Sequence, residues 1–200
     1  MFGKNLCLWL ITALLIISVG SAQACVGRIL YVGALDTPDG RVMAELLVLL
    51  INERTGTNVK IRFMDNNDQL YAALKALDEK DRIDIIVEDT ANAMAILKLE
   101  RKSDLDAELT EAKENYEKKL DIIWLNPFGF KNRGGKANST ISAPLVRRDV
   151  LTNFPLLPRV LNKLSGAISD ETYTDLISKA KSGDKAKNIA KDFLKEKKFI

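Results

Sequence analysis

The chain contains no histidine. That removes the side chain most often used as a general base near neutral pH and the one most often used to hold a metal. Cysteine is nearly absent, with Cys7 and Cys25 alone, so no disulfide framework or CxxC metal clip can be built. The motifs that carry phosphate binding or a nucleophile elbow, GxxxxGK[ST] and GxSxG, do not occur. Tryptophan is limited to Trp9 and Trp124. Neither charge sign dominates: 30 basic and 27 acidic residues leave a formal net charge of +3, too balanced for a nucleic-acid partner. Enzyme readings therefore start low, although carboxylate-only hydrolysis stays open, and no cofactor is expected.

Among the features present, the first is a leader. Lys4 precedes the apolar run Leu6 to Val19, and Ala22 and Ala24 occupy small-residue positions beyond it. This is the pattern of a secretory signal peptide over residues 1–24, too short to span a membrane comfortably. Cleavage leaves Cys25 at the new terminus, either a lipid-attachment cysteine or an ordinary terminal thiol. Residues 25–200 then form one domain by length, exported to the periplasm or the outer face of the cell membrane. Contact with the membrane is expected only through that lipid anchor.

From Arg28 the apolar pattern switches between periods of two and about three and a half. The runs Arg28–Val32, Val59–Phe63, Ile83–Val87, Ile122–Leu125 and Ile141–Val146 carry strand signals. Between them lie helical stretches. In the first, Thr37 is a cap, Pro38 suits the first helical position and Gly56 marks the stop. The second carries Leu70, Ala73, Leu74 and Leu77 at helical spacing. A third begins at "TANAMAILKLE", and a polar one follows with a thin stripe of Leu109 and Tyr116. Strands alternating with helices at this spacing imply parallel βαβ units: a three-layer α/β sandwich, mostly parallel, with helices on both faces. Beyond Asp149 the chain is helical. One seam interrupts the order. Between Trp124 and Asp149 runs "WLNPFGFKNRGGKANSTISAPLVRRD", whose middle has almost nothing to bury; Lys131, Arg133 and Lys136 there suit a solvated loop.

Ligands of open α/β sheets bind beyond the carboxyl ends of the strands. Three loops arrive there: "GALDTPDG" with Asp36, Thr37 and Asp39; "EDTAN" with Glu88, Asp89, Thr90 and Asn92; and "LNPFGF" with Asn126 and Phe128. Carboxylates, hydroxyls and amides suit a small polar or cationic solute. Each has a structural alternative. Thr37 and Asp36 could cap one helix and Asp89 or Thr90 the next; Phe128 could be a core anchor. Glu88 and Asp89 are neighbours on a strand and point to opposite faces, which argues against shared acid/base work.

These segments, taken in order, resemble the substrate-binding proteins of ABC importers for glycine betaine, choline and related osmoprotectants. "VGALDTPDG" is similar to that family's first loop, with Asp36 and Asp39 at its acidic positions. "IDIIVEDTAN" is similar to its Asp-hydrophobic-x-Pro-Glu-Tyr-Thr-Gly motif: Glu88 and Thr90 match, while Val87, Asp89 and Ala91 replace the proline, tyrosine and glycine. "WLNPFGFKN" and the stretch from "APLVRR" to the C-terminal helices resemble the flanks of the family's second lobe. The resemblance implies a type II periplasmic-binding-protein lobe whose ligand touches Asp36, Thr37, Asp39, Glu88, Asp89, Thr90 and Asn126. It also implies a solute such as betaine or choline and an ABC permease as partner. Only residues 126–140 stand where the family inserts a second lobe, too few for one. The expectation is a single-lobe relative with weak or altered binding, the second lobe absent or supplied by another chain. The alternative is a secreted single-lobe protein-interaction module.

Overall fold

The structure is a computed structural model describing residues 28–132 and 139–200. The leader, Cys25, Arg133 and Lys136 lie outside the described residues. The described residues hold five strands: β1 (Leu30–Leu35), β2 (Val59–Met64), β3 (Ile85–Asp89), β4 (Ile122–Trp124) and β5 (Ser142–Arg147). The helices are α1 (Pro38–Thr55), α2 (Asn67–Lys75), α3 (Thr90–Leu97), α4 (Leu105–Leu120), α5 (Arg148–Asn153), α6 (Leu157–Leu161), α7 (Asp170–Lys181) and α8 (Ala186–Glu196). A 3-10 turn over Asn162–Leu164 follows α6.

The strands form one sheet in the order β2-β1-β3-β5-β4. β1 pairs in parallel with β2 and β3, while β5 runs antiparallel between β3 and β4. β1 to β4 therefore all point one way. The chain leaves β4, passes through residues 126–140 and returns as β5 against the grain. Helices cover both faces, as both-sided burial of parallel strands requires. α1 is flanked by α6, α7 and α8 on one face, and α2, α3 and α4 pack on the other.

The local chemistry explains the elements. In α1, Thr37 accepts from the Gly40 amide at 3.1 Å, Pro38 opens the first turn, and Gly56 closes the helix at φ 69°. Every residue from Leu46 to Ile51 is buried, so α1 is the central helix of its layer rather than an amphipathic surface helix. α4 buries Leu109, Ala112 and Tyr116 on one stripe. Every expected strand is shifted by one to three residues at one end or both, β3 for example running Ile85–Asp89 rather than Ile83–Val87. β1 starts at Leu30 and runs on to Leu35, because its register with β2 continues to Leu35↔Met64. α2 stops at Lys75, which leaves Leu77 88% exposed in the connection to β3 instead of on the helix's apolar face.

The seam is tied at its base. Asp170 accepts from the Lys131 and Asn132 amides at 2.7 and 2.8 Å and from Asn132 Nδ2 at 2.8 Å. The Thr140 amide closes on Lys131 O at 2.8 Å. Next to it, Gly129 adopts φ 123°, and a Cβ there would come within 2.9 Å of Ile168 O, so the backbone passes where only glycine fits. Phe128 and Phe130 are buried and stacked, and Phe130 stacks in turn on Tyr173 at 4.2 Å between ring centres. Phe128 is a core anchor.

Candidate functional site

The chain crosses from β1 to β2 through α1 on one face, and from β2 to β3 through α2 on the other. Between β1 and β3 the crossovers part, leaving a crevice at the carboxyl edge where open α/β sheets take ligands. A cleft of about 290 Å³ occupies that crevice. Gly33, Met43, Leu70 and Val87 form its aliphatic walls, and Thr37, Asn67, Glu88, Asp89 and Asn92 supply its polar groups. Gly40 lets α1 start tight against the strand: a Cβ there would lie 2.2 Å from Leu35 O.

Glu88 is the centre of the polar wall. It is 3% exposed. Its Oε2 accepts from the Tyr71 hydroxyl at 2.6 Å and from Asn92 Nδ2 at 2.7 Å, and its Oε1 accepts from the Asp89 amide at 2.8 Å. Because Tyr71 donates to Glu88, the Tyr116 hydroxyl 2.5 Å away donates to Tyr71. Tyr116 meets Trp124 edge to face at 5.6 Å. On the cleft side, Asn67 Nδ2 donates to Asn92 Oδ1 at 3.0 Å. A relay of fixed side chains thus runs from the sheet's far strand to the cleft. Burial pushes the Glu88 carboxyl up to about 7, helped by the negative charge of Asp89, against the pull of its three donors. The same burial and the Glu88 charge raise the Tyr71 hydroxyl, which stays a proton donor.

The residues expected at the site fall into three groups. Thr37, Glu88 and Asp89 line the cleft together. Asp89 also caps α3, its Oδ1 accepting from the Asn92 amide at 2.9 Å and from Thr140 Oγ1 at 3.2 Å. Thr90 lies just behind, fully buried, holding Thr140 Oγ1 at 3.0 Å and the Ile141 amide at 3.2 Å, so it ties α3 to the entry of β5. Asp36 lines a neighbouring hollow and pairs with Arg41 Nε at 2.5 Å, and Asp39 accepts from the Tyr173 hydroxyl at 2.6 Å, linking α1 to α7. Asn126 is exposed beyond β4, two strands from β3, and does not line the cleft. Sequence reasoning left out Asn67 and Tyr71. Asn67 follows the cap Asn66 at the same sheet edge, which was a usable signal; Tyr71 sits inside an apolar helix stripe, and nothing local marks its hydroxyl. The arginine ending β5, Arg147, lies at the opposite edge because β5 is antiparallel. There it donates to Leu74 O and Ala76 O and pairs with Asp149.

Several solved structures superpose on this chain. A glycine betaine/carnitine/choline ABC transporter structure aligns with a TM-score of 0.75 and 14% identity, over 87% of this chain and 99% of that one. Apo YehZ from Escherichia coli aligns at 0.72 and 14% identity, over 87% and 100%. The fold is periplasmic-binding-protein-like. No protein-family model matches the chain, and no curated protein matches it. At 14% identity these likenesses show the fold alone. Among the described residues no helix is long and apolar enough to cross a membrane, and no group of acidic or cysteine side chains is gathered to hold a metal ion.

Proposed function

We propose that this protein is the exported substrate-binding component of an ABC-type importer, taking a small polar or cationic solute. The observation that carries the reading is the cleft at the β1/β3 switch point, built around the buried, triply hydrogen-bonded Glu88. A carboxylate fixed in this way is preorganised to receive a cation without reorganising. The solute-binding neighbours and the absence of histidine support binding over catalysis.

We further take residues 126–140 as the place of a second lobe that this chain lacks. The tie of Asp170 to Lys131 and Asn132 closes the base of that connection. With one lobe the cleft stays open to water, and each screened contact contributes about 1 kcal/mol or less. Affinity of about millimolar, near −4 kcal/mol, follows. Residues 1–24 would direct export, so mass spectrometry of the protein from its native host would find Cys25 as the first residue.

The test is a thermal-shift panel with betaine, choline, carnitine and simple amines. At a solute concentration about ten times Kd, binding stabilises by about 1.4 kcal/mol, which raises the melting temperature by about 3 to 5 °C. No shift with any solute in a well-folded sample would refute the reading.

A further inference from the structure

We propose that the group held in this cleft is a cation bearing N–H donors, a primary ammonium or guanidinium, and not a quaternary ammonium; the inference rests on the solute-binding reading of the same site.

The charge lining the cleft is acidic. The charged side chains lining the cleft are Glu88 and Asp89, and among the described residues no lysine or arginine lines it. The nearby cation, Arg41, is paired with Asp36 and lies over the Phe63 ring at 4.8 Å, in the adjoining hollow. Among the described residues, none that lines the cleft offers a counter-charge to a ligand carboxylate.

The cleft also lacks ring faces among its described lining residues. A quaternary ammonium has no N–H and is held by stacking against aromatic faces. Among the described residues, no aromatic side chain lines this cleft. Tyr71 is buried with its hydroxyl spent on Glu88, the Phe63 face is covered by Arg41, and Phe128 and Phe130 lie stacked in the core.

The polar groups of the site favour an N–H donor as well. Its donors are drawn inward: Tyr71 and Asn92 donate to Glu88, and Asn67 donates to Asn92. The buried Glu88 carboxylate, which brings no hydrogen of its own when ionised, is the charged acceptor at the centre of the polar wall, and an N–H cation complements it. Three helices also begin here, α1, α2 and α3, and helix N-termini favour anions. Four of their first-turn amides, however, are already taken: Gly40 by Thr37, Gln69 by Asn66, Asn92 by Asp89 and Ala91 by Thr140. The volume, about 290 Å³, stands at the lower limit for small-molecule sites and fits a short amine, diamine or guanidine.

A bound cation favours ionised Glu88, so affinity rises as pH is raised through neutrality. The titratable groups facing Glu88 are Asp89 on β3, Tyr71 on α2 and Tyr116 on α4. Both tyrosines are held above their ordinary range and stay protonated there, which leaves the Glu88 carboxyl to set the profile.

Calorimetry on the purified protein with putrescine, guanidinium, choline, glycine betaine and glycine tests the proposal. Putrescine or guanidinium is expected to bind at least about tenfold tighter than choline or betaine, since hydrogen bonds to charged groups are worth that much. Glu88→Gln is expected to weaken the amine at least about tenfold and to flatten its pH dependence; if Glu88→Gln does not fold, Asn67→Ala at the rim serves instead, with a smaller loss. Choline or betaine binding as tightly as the amines, with the same sensitivity to Glu88→Gln, would overturn the donor argument and keep the site. Tighter binding of glycine would overturn it in favour of a zwitterion. No binding at all, or binding indifferent to both variants, would overturn the site reading itself.

Discussion

Replacing Glu88 by glutamine reports on the most perturbed group in the cleft. In the folded protein burial and Asp89 hold the Glu88 carboxyl near 7, against an ordinary value of 4.5. The folded pKa is raised, so the stability Glu88 contributes is fully present below pH 4.5 and is lost as pH rises through about 7. Across that window the unfolded chain has released a proton that the native state still holds. Stability then falls by about 1.4 kcal/mol per pH unit, or about 3 kcal/mol in all. Glutamine keeps an acceptor for Tyr71 and Asn92 but cannot titrate. Urea unfolding of both proteins from pH 4 to pH 8 separates this group from all others, because shifts elsewhere, such as the burial-raised Asp84, are common to both and cancel in the difference. The gap between the two curves is expected to change by about 3 kcal/mol, with the native chain losing ground as pH rises. Parallel curves would refute the claim that burial dominates the three donors.

Other outcomes follow from packing and ties. Leu50→Ala, at a fully buried position in the middle of α1, is expected to cost about 3 kcal/mol by chemical denaturation. Gly40→Ala forces a Cβ against Leu35 O and is expected to cost about 1 to 3 kcal/mol while also narrowing the cleft. Asp170→Ala removes the acceptor of three hydrogen bonds, so hydrogen exchange at the Lys131 and Asn132 amides is expected to speed up while exchange in α1 stays unchanged.

The layered fold was legible because it rests on burial periodicity, which is local. Each of the five expected strands overlaps an observed one, and the Thr37, Pro38 and Gly56 signals bound α1 as the structure has it. The strand order and the reversed direction of β5 were not legible: no residue of Ser142–Arg147 signals which neighbours it will join. Leu77 misled because helical spacing continued past the point where the chain turns toward β3. At the site, chain position at the sheet's carboxyl edge marked Thr37, Glu88 and Asp89. It could not tell lining from support, so Thr90 and Asp39 were grouped with them, although one braces β5 and the other anchors α7. Tyr71 was invisible because its partner lies 17 residues away on the neighbouring strand.

The central claim, that the β1/β3 cleft takes a small solute on Glu88, is tested most directly by following backbone amide resonances during a titration with putrescine and, separately, with choline. The account predicts shifts confined to Gly33, Thr37, Gly40, Asn67 and Asp89 to Asn92, with α7 and α8 unmoved. Shifts centred elsewhere, or a spectrum unchanged by either solute at tens of millimolar, would contradict it.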